Sequence, residues 1–197
     1  KPYKQMFDAS RGIAWARWCV GGTTNLVLNC IDKHRGTPAW ERTFLVWEGE
    51  SPEAQRSLTY SEFDAEVCRL AAALVSLGIG KGDTVGIYMP NLPETYIAFF
   101  AVIKIGAILL PLFSGFGAQP ITTRLNDGGA KAVITADGTW RRGAPGAMKA
   151  VLDEALAQVK SVEHVLVVRH MGDKLSPPMQ AGRDHWWHDL VAARPTS

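Results

Sequence analysis

The 197-residue sequence contains only three cysteines, Cys19, Cys30 and Cys68, with no C-x-x-C pair among them. So sparse a set excludes a disulfide framework or a zinc knuckle, and reads as reduced, buried thiols in a cytosolic protein. An excess of charge of one sign is also missing. Lys and Arg number 21 against 19 Asp and Glu, a formal net charge of +2, so no basic face for nucleic acid is implied. The longest apolar stretch, Tyr96 to Phe113, is broken by Lys104 and Gly106 and divides into a helix followed by a strand, so no membrane span is predicted. The opening KPYKQMFDAS has no basic-then-apolar targeting pattern and no initiator Met, and reads as a trimmed start. G-x-G-x-x-G, G-x-x-x-x-G-K-[ST] and G-x-S-x-G are absent, which leaves a Rossmann oxidoreductase, a P-loop enzyme and a serine hydrolase without motif support.

What the chain does have is 47% hydrophobic and 20% charged residues, finely interleaved, enough for a soluble domain with a substantial core. Three zones are expected: a wrapping segment over 1–58, a βα-repeat over 59–170, and a loop with a short helix over 171–197. In the first, Leu26 to Ile31 fits a short helix capped by Thr23 or Thr24, Phe44 to Glu48 a strand, and SPEAQRS a turn. In the second, Thr59 and Glu62 form a capping box ahead of a helix that Gly78 stops. Strands are then predicted at Thr84–Met89, Ala107–Phe113, Lys131–Ala136 and His164–Val168, with helices at Glu94–Ile105, Gln119–Asn126 and Ala147–Val159 between them. Helices alternating with nearly all-apolar strands mean an α/β fold, a doubly wound and mainly parallel sheet with helices on both faces.

Ligands of such sheets sit beyond the carboxyl ends of the strands. The loop Met89 to Glu94 reads as a rigid helix start. The loop around Gly115 either lets a ring or phosphate approach the backbone or is a tight turn. Arg141 and Arg142, beside Trp140, either clamp a phosphate or form a solvated surface pair. His185 and His188 have the i, i+3 spacing of two metal ligands on a helix, but no third ligand is near in sequence, so no metal site is expected.

The run WCVGGTTNLVLNCIDKH from Trp18 to His34 resembles the opening motif of AMP-forming acetyl-CoA synthetases and related short-chain acyl-CoA synthetases, members of the adenylate-forming ligases. LVWEGE, LTYSEF, KGDTVGIYMPNLPE, KIGAILLPLFSGFG, RLNDGGAKAVITADGTWRRG, VEHVLVVRH and GRDHWWHDL resemble later segments of that family in the same order, from about Trp15 to Leu190. The resemblance implies part of the large N-terminal domain of an enzyme that uses ATP with Mg to turn a small carboxylic acid into an acyl-adenylate, then passes the acyl group to CoA. It also implies that Gly115 and Arg141 border the CoA nucleotide, Gly115 admitting the adenine and Arg141 meeting the 3′-phosphate or the base. The family's second basic residue is replaced here by Ala144, so that either Arg142 substitutes for it or the contact is lost, and its Gly-Gly pair is Ser114-Gly115.

The family's phosphate loop, aromatic-Thr-Glu motif, ribose-binding Asp, hinge and catalytic Lys have no counterparts in this sequence. No catalytic residue is therefore assigned, and the chain alone is expected to be inactive. Its expected partner is the remainder of the same polypeptide, with self-association when the covered surface is bared. A stand-alone CoA- or nucleotide-binding module, or an interaction module, is the competing reading.

Overall fold

The computed structural model describes residues 1–51, 53–141 and 143–196. Strands β1 (Gln5–Asp8) and β2 (Arg17–Val20) form an antiparallel hairpin, followed by the short helix α1 (Leu26–Cys30) and a second hairpin of β3 (Thr43–Glu48) and β4 (Gln55–Thr59). The first hairpin leaves no period-2 signature because both of its strands face solvent along most of their length. In the second, only the end of the polar run read as a turn, Gln55 to Ser57, pairs instead, placing Ser57 opposite Val46 and Arg56 opposite Trp47. Helix α1 is capped by Asn25 rather than by Thr23 or Thr24. Asn25 Oδ1 accepts from the Val27 amide at 2.9 Å while Nδ2 donates to the Ile103 carbonyl at 2.7 Å. One side chain thus caps the helix and ties it to a distant element, which a hydroxyl at position 23 or 24 does not do. Cys19 is exposed, Cys30 half-buried and Cys68 buried, so the expectation of buried thiols holds for Cys68 and fails for Cys19.

Helix α2 (Tyr60–Ser76) starts at the expected capping box. The Glu62 amide donates to Thr59 Oγ1 at 3.2 Å, and the Thr59 amide donates to the Glu62 carboxylate at 2.8 Å. It ends before Gly78, whose φ of 75° lies in the left-handed region that favours glycine. The chain then runs β5 (Thr84–Tyr88), α3 (Pro93–Lys104), β6 (Ile108–Leu112), α4 (Ala118–Asp127), β7 (Ala130–Ala136), β8 (Thr139–Arg141), β9 (Ala144–Gly146), α5 (Met148–Leu156), β10 (His164–Val168), β11 (Asp184–Trp186) and α6 (Trp187–Ala192). Five strands form one sheet in the order β11-β10-β7-β5-β6, all parallel.

Alternating residues build a core on each face of this sheet. Val85, Ile87, Ile134 and Leu166 pack with α2, α3 and α6, whereas Tyr88, Val133, Val165 and Val167 pack with α4 and α5. The sheet is doubly wound and covered on both faces, as the apolar strands require. Strand β11 is the unexpected element: Asp184–Trp186, in the zone read as a loop followed by a short helix, pairs with Val165–Val167, and only from Trp187 does the chain turn helical. No helix of the described residues is long and apolar enough to cross a membrane.

Candidate functional site

The strand order puts β5 between β6 and β7, and the connections leaving these three strands part company. The chain after β5 enters α3 on one face, whereas the chains after β6 and β7 lead to α4 and α5 on the other. Diverging connections leave a crevice beyond the carboxyl end of β5, the usual ligand position in an open α/β sheet. A cavity of about 310 Å³ lies there, floored by Tyr88 and walled by Phe113, Gly115 and Phe116 on one side and by Trp140 and Arg141 on the other.

The first wall is a tight turn held at several points. The Phe116 amide donates to the Phe113 carbonyl at 2.9 Å, and the Tyr88 hydroxyl donates to the Phe116 carbonyl at 3.1 Å. The rings of Phe113 and Phe116 meet edge-on at 5.6 Å, and the Arg124 guanidinium lies 4.4 Å from the Phe116 ring centre. Gly115 is needed for close approach, but the group approaching it here is the chain's own Phe113 ring. A Cβ at position 115 would lie 2.6 Å from Phe113 Cε1.

The second wall is a hairpin of β8 and β9 where a loop is expected, with Arg141 opposite Ala144. Its base is fixed by Asp137, 1% exposed, whose Oδ1 accepts from the amides of Gly138, His170 and Met171 at 2.7 to 3.0 Å. Lys174 lies over the Trp140 ring at 4.2 Å and ties the hairpin to the segment after β10. Arg141 is exposed, and among the described residues no carboxylate pairs with it. Burial pushes the Tyr88 phenol above its ordinary value while the charge of Arg141 pulls it down, so the guanidinium acts at the floor of the cavity. Gly115 and Arg141 are therefore brought to one cavity; Arg142 lies outside the described residues.

Tyr88 escapes sequence reading because a tyrosine ending an apolar strand is indistinguishable from core until its hydroxyl has a partner. Phe113 and Phe116 flank the glycine that drew notice and carry no signal of their own. His185 and His188 sit on different elements, β11 and α6, and His185 instead meets His164 on the neighbouring strand, ring nitrogens 3.3 Å apart. Among the described residues no cluster of three His, Cys, Asp or Glu side chains could hold a metal ion.

An exposed guanidinium without an acidic partner among the described residues, beside aromatic faces, suits a flat ring that carries a phosphate. A family model described as AMP-binding enzyme matches residues 32–196. The acetyl-coenzyme A synthetase of Rhodopirellula baltica is 48% identical over 185 residues, covering 91% of this chain and 27% of that protein. The acetyl-coenzyme A synthetase of Mycobacterium tuberculosis is 44% identical over 194 residues, 98% of this chain and 29% of that protein. This chain thus spans between a quarter and a third of these relatives' length. Acetoacetyl-CoA synthetase from Streptomyces lividans shares the fold, with a TM-score of 0.83 over 98% of this chain and 28% of that one, at 23% identity. With the family model matching most of its length, the chain belongs to the family of AMP-binding enzymes, and acetyl-CoA synthetases are among its homologues.

Proposed function

We propose that this chain is the N-terminal part of an AMP-forming acyl-CoA synthetase of the acetyl-CoA synthetase type, and that its cavity holds part of the CoA nucleotide. The single observation that carries this reading is Arg141, an exposed cation without an acidic partner among the described residues, sharing one cavity with Gly115 and the rings of Phe113, Phe116 and Trp140. Arg141 is assigned to the 3′-phosphate of CoA, and the turn at Gly115 to the adenine. Because Phe113 packs on Gly115 in this structure, the adenine meets the turn only by stacking on that ring or displacing it. Arg142 is the alternative phosphate ligand.

The complete enzyme activates a short carboxylic acid with ATP and Mg and delivers the acyl group to CoA. The groups that stabilise charge at the ATP phosphates and complete the thioester are assigned to the remainder of the polypeptide, so this chain alone is inactive. That remainder is also the partner assigned to its exposed apolar residues, among them Ile13 (80% exposed), Trp15 (68%), Trp18 (68%) and Phe113 (67%). We assign the protein to a reducing compartment, the cytoplasm, a reading supported by the free thiols of Cys19, Cys30 and Cys68. Kinetics of the complete enzyme test the reading. A charge-assisted bond to phosphate contributes about 1.5 to 3 kcal/mol, so Arg141→Ala raises the KM for CoA by roughly tenfold to a hundredfold.

A further inference from the structure

Tyr88 is 2% exposed, and its ring belongs to the apolar core under α4 and α5. A buried phenol needs a hydrogen-bond partner, but nothing in the packing of the ring requires that partner to be a cavity wall. Here it is: the hydroxyl donates to the Phe116 carbonyl at 3.1 Å, inside the turn that carries Gly115, while Arg141 from the opposite wall acts on the same phenol. The rest of that turn is held by its own Phe116–Phe113 backbone hydrogen bond at 2.9 Å and by Arg124 and Phe113 against the Phe116 ring. Among the described residues Tyr88 is the one side chain that hydrogen-bonds the backbone of this turn.

We propose that Tyr88 is a positioning residue for the nucleotide: its hydroxyl sets the distance of the Ser114–Phe116 backbone from the Arg141 wall, and so holds the cleft at the width the base requires. The inference rests on the CoA reading above. Removing the hydroxyl keeps the ring in the core but frees the Phe116 carbonyl, and a turn that must then be ordered on binding weakens the ligand without touching the chemistry.

The test is Tyr88→Phe in the complete enzyme, comparing KM for CoA, for dephospho-CoA and for ATP beside the thermal midpoint. Loss of one hydrogen bond corresponds to a change of about threefold to tenfold. The KM values for CoA and dephospho-CoA are expected to rise by a common factor of that order, preserving the preference between them, while the KM for ATP holds and the midpoint falls by no more than the few degrees that one hydrogen bond contributes. Arg141→Ala, by contrast, erases the preference. If Tyr88→Phe binds CoA as the wild type does while Arg141→Ala does not, the positioning role is wrong and the CoA reading survives. If neither variant changes CoA use, the CoA reading falls and takes this inference with it. A parallel rise in KM for ATP with a lowered midpoint would make Tyr88 an ordinary core residue and overturn the proposal.

Discussion

Lys149 on α5 and Asp184 on β11 form an ion pair at 2.7 Å with both side chains fully removed from solvent. Lys149 also binds Asp153 at 2.7 Å, and Arg183 closes the network on Asp184 at 2.6 Å and on Asp153 at 2.8 Å. Two cations and two carboxylates thus fasten the last strand of the sheet to a helix that packs on its neighbours. Arg183 still pairs with Asp184 when Lys149 is removed, so Lys149→Met should cost less than the ~3 to 5 kcal/mol of a fully orphaned buried charge, roughly 1 to 3 kcal/mol by denaturant unfolding. A loss under about 1 kcal/mol would show that water reaches the pair in solution.

Acid should loosen the same edge of the sheet. Burial beside His164 pushes His185 below its ordinary value of 6.5, so the unfolded chain takes up a proton there that the folded chain refuses. Stability therefore falls as the pH drops through 6.5. Burial pushes Asp184 up, but the hydrogen bonds from Arg183, Lys149 and the Gln180 amide outweigh it and hold the carboxyl below 3.8. Its contribution is present above that value and lost below it. The midpoint of thermal unfolding should decline between pH 7 and pH 5, and His185→Gln should flatten that decline; an unchanged slope in the variant would assign the effect to other groups.

Gly138 is wedged where β7 hands over to the hairpin. A Cβ there would lie 2.6 Å from the Gly146 carbonyl oxygen and overlap Leu175. Because a backbone atom cannot step aside as a flexible side chain can, Gly138→Ala should cost about 1 to 3 kcal/mol, lowering the midpoint by roughly 2 to 4 °C per kcal/mol. A variant as stable as the wild type would mean that the hairpin moves freely on its base.

The parallel sheet was legible because its central strands β5, β7 and β10 are buried on both faces and its helices amphipathic, so residues such as Val85 and Leu74 carry the pattern themselves. Elements whose stability comes from elsewhere were not. Strand β11 is three residues long and held by Asp184's ion pairs, and the β8–β9 hairpin stands on Asp137, whose backbone partners His170 and Met171 lie more than thirty residues away. The site divides the same way. Gly115 and Arg141 are unusual residue types at strand ends and were named from sequence, whereas Tyr88 acquires its part only when β5 is set between β6 and β7.

The isolated 197-residue chain should neither exchange pyrophosphate into ATP nor form acyl-CoA, and light scattering should find it self-associated through the bared apolar surface. ATP-dependent thioester formation by the pure chain would place catalytic groups within it. A clean monomer at high concentration would mean that Trp15, Trp18 and Phe113 are tolerated in water.

The most direct measurement is the ratio of kcat/KM for CoA to that for dephospho-CoA, which lacks the 3′-phosphate, in the complete enzyme and its Arg141→Ala and Arg142→Ala variants. A site built to hold that phosphate prefers CoA in the wild type and loses most of the preference with Arg141→Ala, the effect falling on acyl transfer rather than on adenylate formation. A larger loss with Arg142→Ala would move the assignment one residue along the sequence. A preference that neither substitution changes would contradict the account and make this wall of the cavity a surface turn.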